Sequence, residues 1–357
     1  MKKKSFFADR TTRRDFMTYA IVIICFIALS LLASNKVLGR AQIGLLVPVC
    51  CWIVAALGLN LCVGVLGELS LGHAGFMSVG CFTGITVSEA VSNAIPDPTL
   101  RLIMAVIIGA VFAGIVGFLV GIPVLRLKGD YLAIVTLAFG EIIKDIVNCL
   151  IIGVDEKGLH IIFNASGTKS ASDLGLAEGG KTIIQGAQGA VGTTTISTFL
   201  GGFVLVMIAL IIVLNFVKSR SGRAVMAIRD NRIAAEASGV NVTRYKMIAF
   251  TLSAAIAGAA GVLYGLNFSS IVATKFNFNT SILILVYVVL GGLGKMQGTL
   301  IAATVLYVLP ELLRAFSDYR MLVYAIVLII VMITTNNQQM KNLFLKIIPK
   351  RKNKEVQ

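Results

Sequence analysis

Three ionisable residues interrupt an apolar stretch of the chain and are the first candidates for chemistry. Lys144 and Asp145 follow Glu141 by three and four positions, so on a helix all three share roughly one face. That face cannot point at lipid, because moving a charge from water into hydrocarbon is costly. The spacing favours a structural ion pair inside a bundle, or a span that ends early near Gly140, over direct contact with a substrate.

Glycine clusters at two places between apolar runs, at positions 58–84 and 291–298. In lipid, small residues let helices approach closely, and a broken helix can line a cavity. The two interruptions stand at corresponding places in the two halves of the chain, which suggests an internal repeat, although tight helix packing alone explains them equally well. Glu68 and His73 flank the first interruption. There we expect a hydrogen-bonded polar pair rather than a proton relay.

The polar stretch 219–246 contains a short predicted helix. Asp230 is a good N-cap, Asn231–Ser238 (NRIAAEAS) favours a helix, and Gly239 suits the position just after its end. Such a helix can dock in a groove of a partner protein. On physical grounds alone, a solvated connection between two helices is the slightly preferred interpretation.

Several kinds of chemistry lack their sequence signatures. The chain has no Gly-x-x-x-x-Gly-Lys-Ser/Thr loop, so ATP hydrolysis would have to come from separate subunits. No nucleophile, base and orienting group gather in one loop, which disfavours a membrane enzyme. His73 and His160 are far apart and have no cysteine at ligand spacing, so we predict neither a metal site nor a cofactor. The six cysteines lie in apolar runs, and we expect no disulfide.

Membrane-spanning helices must position these residues. Of 357 residues, 57% are hydrophobic and 14% charged, whereas soluble domains are about 25% charged. The hydrophobic residues form long stretches without charge, and a spanning helix needs roughly 20 such residues. We therefore predict an all-α fold, a polytopic transmembrane helical bundle. A transmembrane barrel is excluded, because segments of about 10 residues with weakly alternating hydrophobicity, the signature of its strands, are absent.

The ten predicted spans are 17–34, 43–64, 72–92, 101–125, 131–152, 198–217, 247–268, 280–293, 298–313 and 320–336. The eighth and ninth are short enough to be re-entrant or broken.

The net charge of +15 is concentrated in three segments that flank apolar runs: 1–16, 218–246 and 340–357. Lys and Arg accumulate in this way on the cytoplasmic side of a bilayer, so nucleic acid is not needed to explain the charge. Both termini are then cytoplasmic, and the polar segment 153–197, with a net charge of −1, forms an outer loop or small cap. The predicted domains are a basic arm (1–16), a transmembrane domain (17–336) and a basic tail (337–357).

Four segments resemble one family. They are GLNLCVGVLGELSLGHAGFMSVGCFTG (58–84), RLKGDYLAIVTLAFGEIIK (126–144), GRAVMAIRDNRIAAEASGVNVTRYKMIAFTLSAAIAGAAGVLYG (222–265) and VLGGLGKMQGTL (289–300). Their order and sequence are similar to LivM-type permease subunits of branched-chain amino acid ABC importers. The resemblance implies a bacterial inner-membrane importer with a second, LivH-type permease, two cytoplasmic ATPases and an extracytoplasmic substrate-binding protein.

The resemblance also implies roles for individual residues. The loop around the short helix looks like a diverged Glu-Ala-Ala…Gly segment that couples a permease to its ATPase. Its candidate residues are Arg229, Asp230, Asn231, Ala234, Ala235, Glu236 and Gly239. A pathway for leucine, isoleucine or valine needs an apolar wall with a few neutral hydrogen-bonding groups. The candidates for that pathway are Asn60, Ser70, His73, Ser78 and Glu141, although each polar group could instead bond only to neighbouring helices.

Two other transport functions remain open at this stage. The permeases of urea and short-amide ABC importers are similar, and the residues do not exclude them. An ion-coupled secondary transporter also uses broken helices and intramembrane acids. It is disfavoured because Lys144 accompanies Glu141 and Asp145, which leaves no clearly unpaired acid to carry a proton.

Overall fold

A computed structural model describes residues 10–35, 39–127, 129–155, 158–164, 168, 171–176 and 180–313, together with scattered positions from 319 to 332. The chain divides into two compact units, Met1–Thr304 and Val305–Gln357. The second unit contains the end of the last helix described below. Ten of the 17 residues of the predicted tenth span lie outside the described residues, as do the whole basic tail and the first nine residues of the predicted basic arm.

Helices make up most of the described chain, as the sequence predicts. They are α1 (Arg10–Ser34), α2 (Arg40–Asn60), α3 (His73–Ala90), α4 (Pro98–Val124), α5 (Asp130–Asn148), α6 (Phe199–Lys218), α7 (Arg220–Asp230), α8 (Arg232–Ala237), α9 (Val242–Gly265), α10 (Phe278–Gly291) and α11 (Met296–Leu312). A π-helical turn, Leu61–Leu66, extends α2. Polar caps start several of these helices; for example, the Asp97 side chain accepts a hydrogen bond from the Thr99 amide at the start of α4.

Four helical segments in the described residues are long and apolar enough to cross a membrane: Arg40–Leu66, Pro98–Val124, Phe199–Lys218 and Val242–Gly265. The helices α10 and α11 have 14 and 17 residues, so the expectation that this region holds two short helices is confirmed. At 1.5 Å per residue, α10 is about 21 Å long, less than the hydrocarbon thickness of about 30 Å.

The core of the first unit surrounds α9, which packs against α2, α3 and α4. Small residues permit this close packing. A Cβ added to Gly80 of α3 would lie 2.1 Å from the carbonyl oxygen of Gly258 in α9, so the two backbones are in direct contact. Without a hydrophobic effect between helices in lipid, such contacts are a main source of attraction between them.

The prediction of an all-α fold is wrong in one respect. The segment between α5 and α6 contains β1 (Leu150–Asp155), β2 (Gly158–Phe163), β3 (Lys181–Gln185) and β4 (Ala190–Val191), which join β5 (Ser270–Ile271) in a described antiparallel sheet of order β2-β1-β3-β4-β5. In register, Ile152 pairs with Ile161 and Ile184, and Ala190 pairs with Ile271. The predicted fifth span, 131–152, is therefore too long: its helix ends at Asn148, and its last residues begin β1.

Hydrogen bonds fasten this sheet to the helical bundle. The buried carboxylate of Glu89, at the end of α3, accepts from Lys181 Nζ at 2.8 Å. It also accepts from the Thr194 amide at 2.7 Å and the Thr194 hydroxyl at 2.8 Å. Arg101 of α4 donates to the same hydroxyl at 2.9 Å. The ends of α3 and α4 thus hold the sheet in place.

Candidate functional site

The predicted short helix forms in the polar segment between α6 and α9, with different boundaries. Asn231, and not Asp230, is the N-cap of α8: its side-chain oxygen accepts from the Ala234 amide at 3.0 Å. Asp230 is instead the last residue of α7. Both side chains are good caps, and the sequence alone did not show that a separate helix ends at Asp230. Gly239 has φ of +80°, which confirms that it suits the position after the helix.

The helix α8 presents one apolar side chain to solvent. Ile233 is 80% exposed, while Ala235 is buried on the opposite side against Ile228 and Val242. Ala234 is exposed, and Glu236 is half-exposed in an ion pair with Arg232 at 2.9 Å. The sequence analysis did not single out Ile233, although it is the one large apolar residue of NRIAAEAS.

Arg229 reaches the end of α2, and the exposed Asp230 bonds to its guanidinium. Arg229 donates from Nη1 to the carbonyl oxygen of Gly64 at 2.9 Å, which places it on the π-helical turn after α2. Its Nε and Nη2 donate to Asp230 Oδ1 at 3.1 and 2.9 Å. Asp230 therefore orients the guanidinium that reaches Gly64.

A second contact to the same turn joins Glu68 to Lys246 of α9. The two side chains form an ion pair and are 14% and 7% exposed. Breaking a buried pair leaves an uncompensated charge, which is strongly destabilising. Sequence reasoning singled out Glu68 but paired it with His73, and it overlooked Lys246. The two partners are 178 residues apart, so no local pattern connects them.

Asn60 brings the two glycine-rich segments together. Its Oδ1 accepts from the Gly294 amide at 2.8 Å, and its Nδ2 donates to the Thr299 hydroxyl at 2.8 Å. Beside it, a Cβ added to Gly64 would lie 2.2 Å from the Gly294 nitrogen. The two interruptions that the sequence shows in separate halves of the chain therefore touch.

The remaining pathway candidates in the first segment are all buried. His73 Nε2 lies 3.1 Å from the Ala55 carbonyl oxygen, so the expected hydrogen-bonded pair of Glu68 and His73 is replaced by separate partners. The hydroxyls of Ser70 and Ser78 have no hydrogen-bond partner within the described part of the chain. A substrate could reach these groups only if the surrounding helices separated.

The ionisable residues of α5 form ion pairs, which is one of the two structural interpretations that the sequence favours over contact with a substrate. Lys144 pairs with Glu141 and lies 3.8 Å from Asp145. Glu141 Oε1 also accepts from the Phe278 amide at 3.0 Å, which satisfies a free N–H at the start of α10. α5 continues as a helix to Asn148, and the Asp145 side chain is 70% exposed, so the span that ends near Gly140 stays a prediction.

Within the described residues, no three His, Cys, Asp or Glu side chains are grouped so that they could hold a metal ion. The polar groups of the region connect α2, α7, α9 and α11 instead. The arrangement suits the transmission of movement between segments of the chain.

Comparison with known proteins agrees with this picture. Residues 42–332 match the family described as "Branched-chain amino acid transport system / permease component". The chain is 32% identical over 332 residues to the high-affinity branched-chain amino acid transport system permease protein LivM of Salmonella typhimurium, covering 90% of this chain and 74% of that protein. It is also 32% identical over 334 residues to LivM of Escherichia coli, covering 91% and 75%. Identity to LivH of Salmonella typhimurium is 25% over 289 residues, covering 79% and 88%. No solved structure matches the chain.

Proposed function

Since the chain belongs to the family of permease components of branched-chain amino acid transport systems, we propose that it is the membrane subunit of an ATP-driven ABC importer. Its substrates are leucine, isoleucine and valine, carried into the cytoplasm. The family match over residues 42–332 is the observation that carries this proposal. The apolar helices agree with a membrane-embedded chain.

The proposed orientation places both termini in the cytoplasm of a bacterial cell, with the chain in the inner membrane. The ten-span prediction puts the turn after α2, the segment 219–246 and Lys295 on one side of the membrane. The contacts support this grouping, because Arg229 bonds Gly64, and Gly294 bonds Asn60. On the other side, β4 pairs with β5 from the distant α9–α10 connection.

The proposed complex contains a second permease of the LivH type, two cytoplasmic ATPases and an extracytoplasmic binding protein. The chain lacks a phosphate-binding loop, so the ATPases supply the energy. We assign α8 as the helix that docks on an ATPase, with Ile233 as its apolar anchor. The capping by Asn231 and the turn at Gly239 hold this helix in shape.

The proposed pathway for the substrate passes the break between α2 and α3. Asn60 and His73 already bond to neighbouring helices. The unbonded hydroxyls of Ser70 and Ser78 are therefore the better candidates for groups that a moving substrate meets. Glu141 pairs with Lys144 and accepts a hydrogen bond from the start of α10, so its role is structural.

Uptake measurements on the reconstituted complex test this function. The chain, its second permease, the ATPases and the binding protein are placed in proteoliposomes, and labelled leucine is compared with urea and acetamide. We expect ATP-dependent leucine uptake that vanadate inhibits. Amide uptake without leucine uptake would reject the substrate. Leucine uptake that ignores vanadate and follows an ion gradient would reject the ABC mechanism.

A further inference from the structure

The end of α2 exposes backbone groups that other segments must satisfy. The π-helical turn stops at Leu66, and Gly67 follows with φ of +81°. The last carbonyl groups of a helix lack partners within it and carry partial negative charge, which favours a cation nearby. Two cationic side chains reach this region: Arg229 contacts the turn itself, and Lys246 contacts Glu68, two residues after its end. They come from opposite ends of the segment that contains α8.

Arg229 is the first of these contacts. Its Nη1 donates to the Gly64 carbonyl at 2.9 Å, and its aliphatic stem covers Gly67 so closely that an added Cβ there would lie 2.5 Å from Arg229 Cγ. Asp230 holds the other edge of the guanidinium. Arg229 is thus fixed both by packing and by hydrogen bonds.

The Glu68–Lys246 ion pair is the second contact. Both side chains are largely buried, so water screens their attraction weakly. Glu68 is also tied to the turn itself, because its backbone amide donates to the Cys62 carbonyl at 3.3 Å. Any displacement of Lys246 therefore acts on the turn through Glu68.

The segment between the two contacts has its own apolar core. Ile228 of α7, Ala235 of α8 and Val242 of α9 are buried together, with Val240 and Tyr245 packed against them. Close-packed side chains transmit displacement because they cannot be compressed. A force on α8 therefore moves Arg229 and Lys246 together.

We propose that Arg229 and the Glu68–Lys246 pair form a two-point clamp that passes movement of the α7–α8 segment to the break between α2 and α3. This inference rests on the proposed function, because it takes α8 to be the ATPase-docking helix. Glu68, Arg229 and Lys246 are positioning residues: they act on the substrate path through the π-helical turn 61–66 and the two residues after it, and do not touch the substrate.

Cys62 reports on the clamp, since it is buried in the turn itself. In the assembled complex, the other five cysteines of the chain are replaced by alanine. The rate of N-ethylmaleimide modification of Cys62 is measured without nucleotide and with ATP plus vanadate. We expect the two rates to differ about tenfold, within the range of coupling effects carried by packed networks.

Glu68→Gln and Arg229→Gln should abolish this difference while the ATPase still copurifies. Arg126→Gln removes a charge from the side of the membrane predicted to be cytoplasmic but lies outside the clamp, so it should keep the difference. The charge swap Glu68→Lys with Lys246→Glu should restore it. If a single variant fails to fold, the nucleotide dependence of Cys62 labelling is measured in the charge-swap variant instead.

Three results would overturn the clamp: nucleotide-independent labelling with the native clamp, unchanged nucleotide dependence in both glutamine variants, or a folded charge swap without nucleotide dependence. Leucine uptake is measured in the same vesicles. Absent uptake with intact nucleotide-dependent labelling would refute the proposed substrate and leave the clamp standing. Normal uptake with nucleotide-independent labelling would refute the clamp and leave the proposed substrate standing.

Discussion

At the scale of single residues, the side chains of the candidate site divide into polar groups that bond within the chain and one apolar group that is exposed. Asn60, Arg229 and the Glu68–Lys246 pair all connect distant parts of the chain. Ile233 is different, because it is exposed and belongs to a helix whose other side is packed. A partner that covered it would remove apolar surface from water, which is favourable.

Replacing Ile233 by Ala should weaken binding of the ATPase subunits. Alanine favours helix formation more than isoleucine, so α8 should remain intact. Loss of a buried isoleucine contact costs about 1.5–3 kcal/mol, or roughly ten- to hundredfold in affinity. Titration of purified ATPase against the permease pair in nanodiscs measures this affinity. Leu159→Ala, an exposed apolar residue of the outer sheet, is the matched control. Equal affinity in the two variants would contradict the docking role.

Asn60→Leu should destabilise the bundle. The substitution leaves the Gly294 amide without its buried partner, which costs about 1–3 kcal/mol. It also removes one hydrogen bond of the Thr299 hydroxyl, which keeps its bond to the Lys295 carbonyl. Thermal unfolding of the purified chain should occur at a lower temperature. In a double-mutant cycle, Thr299→Val should cost less in the Asn60→Leu background than in the native one. Additive effects would show that the bond contributes nothing.

At the scale of elements, the break between α2 and α3 was harder to predict than the helices on either side of it. The helices were predictable because uncharged runs of spanning length have few other solutions in lipid. The π-helical turn 61–66 and the break that follows it were predictable only as a cluster of glycines. What it touches, namely Arg229, Lys246 and Gly294, depends on pairings across the fold that no local pattern records.

Two glycines of the same helical segment should respond differently to a methyl group. In Gly64→Ala the Cβ would lie 2.0 Å from Asn60 Oδ1, so the turn and Gly294 must move apart. In Gly44→Ala the Cβ meets nothing within 4 Å. We expect Gly64→Ala to cost about 1–3 kcal/mol as an overpacked contact, and Gly44→Ala to be neutral or stabilising. Thermal melting of both variants decides; similar midpoints would refute the close approach.

The strands were missed for a related reason. Residues 149–152 continue an apolar run, so they read as the end of a span, although isoleucines at 151, 152, 161, 162, 183 and 184 favour strands. Short strands become evident only when they pair, and β5 lies about 80 residues beyond β4. The polar segment between the helices was therefore predictable from the sequence, but its sheet was not.

At the scale of the whole molecule, the described contacts form two polar layers at opposite ends of the bundle. One contains Gly64, Arg229 and Lys246, and the other contains Glu89, Arg101 and Thr194. Each layer joins segments that the charge distribution assigns to the same side. The positive-inside bias then decides which layer faces the cytoplasm.

Cysteine labelling tests that orientation directly. In a cysteine-free background, Leu159→Cys should react with a membrane-impermeant maleimide from outside the cell, and Ile233→Cys only in inverted vesicles. Both positions are exposed, so differences in reactivity report sidedness rather than burial. Labelling of position 159 from the cytoplasmic side alone would invert the topology.

The strand order of the outer sheet also constrains how the chain is made. The pairing of β4 with β5 cannot form until residue 271 has been synthesised, after α6, α7, α8 and α9. At about 5–20 residues per second, the intervening residues take roughly 4–16 seconds to make. During that interval β4 presents an unpaired edge, which is a template for wrong pairing with another chain. Ribosome pausing within this interval should therefore increase aggregation of the nascent protein, and faster passage through it should improve yield.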